Sequence, residues 1–266
     1  QLAQTENLRL LQLTWAGADK YTCMENLPQS VVLANASGAF GTIIAEYAIG
    51  SLVALYRSFG RYWSNKQAHI WQKYDHAETI SGKTALVLGM GDIGANVARR
   101  LKVFGAAVLG VKRTAVSAVP ADFDEAHTLD ALDALLPRAD IVIGCLPNTR
   151  ETAGLLTAGR LHAMKAGAVL VNVGRGSLAG TDDLVSALQD GHLGGAALDV
   201  FETEPLPADC PLWDMENVLL TPHIAGPSFG GSADVQNTIW HICMDNLERY
   251  LTGNPLKNVV NRSEGY

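Results

Sequence analysis

The stretch LVLGMGDIGANVARRL, residues 86–101, decides the fold of this chain. It opens on the end of an apolar run, TALVLG, and closes on a helical pattern, DIGANVARRLKVFG. Between them Gly89, Gly91 and Gly94 stand in the spacing GxGxxG. That spacing alone is weak, but between a strand and a helix it has a physical reading. Gly89 permits the tight turn, Gly91 lets a pyrophosphate approach the backbone, and Gly94 allows close helix–strand packing. The first turn, with Asp92 and Ile93, offers free N–H groups to a phosphate. An ordinary strand–helix turn could also hold three glycines, but the flanks match on both sides and favour a dinucleotide.

The pattern continues in both directions. Downstream, AAVLGVK completes a βαβ unit. Then LDALLPRA reads as a helix, DIVIGCLP as a strand, AGRLHAMKAG as a helix and AVLVNVG as a strand. TDDLVSALQDG reads as a helix with a Thr-Asp cap signal at its start. GGAALDVF and NVLLTPH are two more short strands, and SADVQNTIWHICMDNLERYLTG is a closing helix that stops at Gly253. Short apolar strands alternating with helices predict a parallel sheet covered on both faces, a doubly wound α/β fold. Upstream, NLRLLQLTWAGADKY reads as a strand and a glycine loop, and residues 43–63 as one long, buried, mostly apolar helix.

Composition narrows the class. The chain has 266 residues, 48% hydrophobic and 18% charged, an ordinary globular balance with room for two domains. A net charge of -7 without a basic cluster argues against nucleic acid as a partner. No apolar run is long enough for a membrane span. Cys23, Cys145, Cys210 and Cys243 show no metal-like spacing, so reduced thiols, a cytoplasmic location and no metal are expected.

The strand after the glycine loop ends in Lys112, Arg113 and Thr114, with no acidic residue until Asp122. A carboxylate there would bind a 2′-hydroxyl, whereas a basic pair attracts a 2′-phosphate. NADP is therefore expected, with NAD as the alternative.

Three further strand ends carry chemistry: VNVGRGSL, LDVFETEPLP and LTPHIAG. Ligands of open α/β sheets bind at strand C-terminal ends, so Arg175, the acids Asp199, Glu202 and Glu204, and His223 could converge. Taken singly, each glutamate reads as a solvated loop acid and His223 as a loop histidine. Taken together beside a dinucleotide loop, an arginine, a carboxylate and a histidine supply what hydride transfer to a 2-keto acid requires.

The stretches LQLTWAGAD, AEYAIGSLVALYR, LGMGDIG, LPNTRET, VNVGRGSL, ALDVFETEPLP and TPHIAG run in order along nearly the whole chain. In this the chain resembles the D-isomer-specific 2-hydroxyacid dehydrogenases. The resemblance implies a Rossmann-type domain over residues 42–234 that includes a dimerisation helix. It also implies a flavodoxin-like substrate domain from residues 1–41 and 235–266. The family carries several dozen residues ahead of the first strand, so that domain is expected to be incomplete here at its N-terminal side. Arg175 would grip the substrate carboxylate, His223 would be the general acid and base, and Glu204 would orient the imidazole and support its charge. Ala16 and Gly17 would offer backbone N–H groups to the substrate. Asp199, with backbone near Val173, would face the nicotinamide amide, and Leu146 and Pro147 would line the dinucleotide. Glyoxylate or hydroxypyruvate is the expected substrate class, since residues 12–19 show no basic pair for a phosphate. A homodimer is expected from residues 43–63. The rival reading is a dinucleotide-binding sensor or corepressor, or an inactive truncated dehydrogenase.

Overall fold

Strand patterning and glycine placement together account for most of the architecture. The computed structural model describes residues 7–75, 77–227 and 229–266. It divides into two compact units. One comprises Gln1–Phe40, Pro147–Glu151 and Gly226–Tyr266, and the other Gly41–Leu146 and Thr152–Ala225.

In the smaller unit, β1 (Leu10–Gln12) and β2 (Val32–Ala34) pair in parallel, with α1 (Asp19–Thr22) between them. Leu13, Ala18, Leu33 and Val260 form its core. The long closing helix α8 (Ala233–Thr252) ends at Gly253, whose φ of 72° only glycine adopts without cost. Asn246, fully buried on α8, donates to Gln12 Oε1 at 2.7 Å and so ties the helix to β1. β2 was not foreseen from the sequence.

The larger unit begins with α2 (Gly41–Tyr56) and α3 (Phe59–Gln67). These replace the single helix expected over residues 43–63. Ser58 lies at φ 52°, in the left-handed region, and breaks the helical path between them. An apolar pattern cannot register such a break, because residues on both sides keep the same composition.

A seven-stranded parallel sheet follows: β3 (Thr84–Leu88), β4 (Ala107–Lys112), β5 (Glu125–Thr128), β6 (Ile141–Gly144), β7 (Ala168–Asn172), β8 (Leu193–Leu198) and β9 (Val218–Leu220). Its order is β5-β4-β3-β6-β7-β8-β9, so the winding reverses between β3 and β6. The helices α4 (Asp92–Val103), α5 (Leu132–Leu135), α6 (Ala158–Ala163) and α7 (Thr181–Gln189) alternate with the strands. Leu86 and Leu88 point into a core with Leu132, Leu135, Leu161, Leu184 and Leu188, while Ala85 and Val87 are buried on the opposite face. Both faces are thus covered, as the unbroken apolar strands require. Each fully buried leucine stabilises this unit by about 2 kcal/mol.

The start of α7 is built differently from expectation. Neither Thr181 nor Asp182 caps it, because the cap position is Gly180, which makes no side-chain bond. Instead the Thr181 N–H donates to Glu202 Oε2 at 2.5 Å. A carboxylate from the β8 loop meets the positive end of the helix.

Candidate active site

Two sets of strand ends within the larger unit carry most of the expected residues. The first surrounds the glycine loop after β3. The Gly89 N–H donates to the Val111 carbonyl at 2.8 Å, joining the loop to the end of β4. Gly89 lies at φ 105°, and a Cβ on Gly94 would stand 1.8 Å from the Gly89 carbonyl oxygen. At both positions a side chain would strain the backbone or force a neighbour to shift. At Gly91 the situation is the reverse: an added Cβ would meet nothing within 4 Å. The space over the loop is open where a pyrophosphate would approach. Gly91 is the N-cap of α4 and makes no side-chain cap bond, and the turn of Asp92, Ile93 and Gly94 follows it. These residues fit a dinucleotide.

Lys112, Arg113 and Thr114 follow directly from Val111, so they stand at the β4 end beside the loop. Arg113 and Thr114 are exposed. Asp122 is tied to the Arg99 guanidinium at 3.1 Å. At the end of β6, burial pushes the Cys145 thiol up to about 12, so it carries no thiolate chemistry near neutrality. Leu146 and Val173 are buried in the same unit; Pro147 falls in the smaller one.

The second set lies at the ends of β7, β8 and β9, which are neighbours in the sheet. Backbone bonds stitch the three ends together. Asp199 N–H donates to the Asn172 carbonyl at 3.1 Å, and His223 N–H donates to the Asp199 carbonyl at 2.8 Å. Buried Asn172 shapes the turn that bears Arg175: its Nδ2 donates to the Arg175 carbonyl, and its Oδ1 accepts from Gly174 N–H. Arg175 donates from Nη1 to the Gly174 carbonyl at 2.8 Å. Beside it, Gly176 lies so near the Phe201 backbone that a Cβ would stand 1.9 Å from it.

Phe201 in turn holds Glu204. Its N–H donates to Glu204 Oε1 at 3.1 Å, and Glu204 Oε2 accepts from His223 Nδ1 at 2.9 Å. The imidazole tautomer with a proton on Nδ1 fits that bond, so Nε2 is the ring nitrogen that Glu204 does not engage. His223 is exposed, with 48% of its side chain accessible. Its backbone lies at φ 56°, a left-handed conformation that costs a residue with a Cβ about 1–3 kcal/mol. Arg175, Glu204 and His223 therefore stand on adjoining, mutually bonded loops. Glu202, left open by the sequence, goes instead to the start of α7.

Asp199 is 1% exposed. Its Oδ1 accepts from Thr221 Oγ1 and Ile224 N–H, and its Oδ2 from Ala225 N–H. Ala16 and Gly17 belong to the smaller unit, on the loop after β1, where Asn35 Nδ2 donates to the Ala16 carbonyl at 2.8 Å. Thr221, which donates to Asp199, and Tyr47, whose Oη lies 2.5 Å from Thr221 Oγ1, were missed by sequence reasoning. Thr221 stood inside a quoted motif, two residues ahead of the histidine.

Among the described residues no group of histidine, cysteine, aspartate or glutamate could hold a metal ion, and no helix is long and apolar enough to cross a membrane.

Comparison with known proteins shows the family of the chain. Residues 49–225 match the model for D-isomer specific 2-hydroxyacid dehydrogenase, NAD binding domain. The structure is similar to a D-isomer specific 2-hydroxyacid dehydrogenase of Xanthobacter autotrophicus solved with NADPH and MES. There the TM-score is 0.87 and the identity 33%, over 100% of this chain and 81% of that one. Glyoxylate/hydroxypyruvate reductase A of Citrobacter koseri is 35% identical over 231 residues, 85% of this chain and 70% of the relative. D-3-phosphoglycerate dehydrogenase of Mycobacterium leprae is 32% identical over 99% of this chain, which spans only 49% of that relative. The chain thus belongs to the D-isomer specific 2-hydroxyacid dehydrogenases, oxidoreductases of hydroxy acids that work with NAD(P).

Proposed function

We propose that this chain reduces a small 2-keto acid to the D-2-hydroxy acid with NADPH, with His223 as proton donor and Arg175 as carboxylate anchor. The observation that carries the reading is the 2.9 Å bond from His223 Nδ1 to Glu204 on loops stitched to the one that bears Arg175. A bound nicotinamide would supply the hydride. The protein's part is proton delivery and orientation. Glu204 fixes the ring so that Nε2 faces outward and offsets the charge of the imidazolium. As the keto carbon gains hydride, its oxygen becomes an alkoxide and takes the Nε2 proton. The reverse reaction returns that proton to the same nitrogen. Arg175 has the planar fork that a carboxylate accepts in two bonds. Asp199 would also meet the nicotinamide amide.

NADP rather than NAD is supported by Lys112 and Arg113 at the β4 end and by the NADPH held in the similar Xanthobacter structure. Glyoxylate or hydroxypyruvate is supported by the name of the Citrobacter relative. A cytoplasmic homodimer belongs to the same proposal. Free cysteines suit a reducing compartment, and Phe59, Trp63 and Trp71 are exposed on and after α3.

The test is His223→Gln. Turnover should fall about 100- to 10,000-fold while NADPH affinity is kept, because the ring is spent on proton transfer and not on the dinucleotide. Turnover at the wild-type level would remove His223 from the role.

A further inference from the structure

A chain of hydroxyls runs from α2 to the histidine loop. Tyr47 Oη and Thr221 Oγ1 lie 2.5 Å apart, and Thr221 Oγ1 lies 2.5 Å from Asp199 Oδ1. The proton directions follow from what each group owns. A carboxylate only accepts, so Thr221 donates its single proton to Asp199. Thr221 then has only lone pairs left for Tyr47, so the phenol must donate to it. Tyr47 is suited to this, since burial above all holds its phenol above the ordinary value and keeps it an O–H.

The far end of the chain is the loop that presents His223. Asp199 accepts from Ile224 N–H at 2.8 Å and Ala225 N–H at 2.9 Å, on the side of His223 opposite Thr221. His223 itself lies in a left-handed conformation that its own side chain disfavours, so its surroundings must hold it there. We propose that Tyr47 and Thr221 are positioning residues: with the Asp199 carboxylate they clamp the loop from both sides of His223 and fix where its imidazole points. Among the described residues Oδ1 takes two of the three bonds and Oδ2 one, so Oδ2 keeps a lone pair that these bonds do not use. The clamp and a cofactor contact by Asp199 are compatible.

The consequence for turnover rests on the proposed role of His223, so the experiment reads the clamp in two ways. Thr221→Val and Tyr47→Phe each delete one hydroxyl, and Thr221→Ser keeps it. The first readout is the His223 imidazole resonance in the protein without cofactor, with His162 as internal reference. The clamp predicts that it moves in both deletion variants, returns in Thr221→Ser, and that His162 stays in place. The second readout is kinetic. kcat should fall on the order of tenfold in Thr221→Val and less in Tyr47→Phe, with KM for the keto acid and NADPH affinity within about twofold. A His223 resonance unmoved in both folded variants overturns the clamp, whatever happens to kcat. Absence of turnover in the wild type would instead overturn the proton-carrier reading, and the resonance would still decide the clamp. Should Thr221→Val fail to fold, Tyr47→Phe on α2 carries the same comparison.

Discussion

The β3–β4 ends and the β7–β9 ends of the sheet build their candidate sites by opposite means. Around Gly89, Gly91 and Gly94 the site is made by leaving side chains out, so that backbone can turn and approach. Around Arg175, Glu204 and His223 it is made by side chains that hold backbone: Asn172 and Glu204 bond within their own loops, and Asp199 bonds to the neighbouring one. The first kind of site is specified within one strand–helix unit. The second needs three strands and is specified only by the folded sheet. A substitution at the first end should therefore separate binding from folding, whereas at the second it should separate chemistry from binding.

The largest effect that sharpens this contrast is Gly91→Ala. Open space surrounds Gly91 and its φ is -79°, so alanine fits the unliganded protein. The thermal midpoint should stay nearly unchanged while dinucleotide affinity falls on the order of 100-fold, about 2.7 kcal/mol. Calorimetric binding on a folded variant checks it. Unchanged affinity would mean that no phosphate comes near Gly91.

Gly94→Ala should do the reverse. The new methyl meets the Gly89 carbonyl, and overpacking of this kind costs about 1–3 kcal/mol. A lower denaturant midpoint is expected before any ligand is added. Wild-type stability would break the distinction between the two glycines.

Neutralising Lys112 and Arg113 together should weaken NADPH by about tenfold more than NADH, since only one of the two carries a 2′-phosphate. Equal weakening of both would detach the basic pair from that phosphate.

The smallest effect is a control remote from both sites. Asp190, and next the Ala158 carbonyl, hold the His162 imidazole above its ordinary value. A raised histidine stabilises the fold fully below its unfolded value, about pH 6.5, and loses that contribution as pH rises through the folded value. His162→Ala should thus lower the thermal midpoint slightly at about pH 5.5 and leave this contribution out at about pH 9, with kcat unaffected. A larger loss at the higher pH would contradict the sign.

What was legible in the sequence divides along the same line. The glycine loop and the apolar strands β3, β4, β6, β7 and β8 could be read because each is specified by its own residues and their burial. The strand β5 was not: Glu125–Thr128 reads EAHT, a polar run that pairs with β4 only because an edge position is left there. The break at Ser58 and the cap of α7 by Glu202 were hidden for a related reason, since both depend on groups the local pattern does not contain. At the site, Arg175, Glu204 and His223 were visible as motif residues at strand ends. Tyr47 was not, because its partner Thr221 lies 174 positions away, and an AEYAIG helix shows no sign of which residue will face the sheet.

The most direct test of the central claim is oxidation of NADPH and of NADH by the purified protein with a panel of 2-keto acids. Turnover with glyoxylate or hydroxypyruvate, faster with NADPH, is the expected result. Measurable NADPH binding without turnover on any 2-keto acid would contradict the claim, and would leave the loops of β7–β9 as a sensor of the bound dinucleotide.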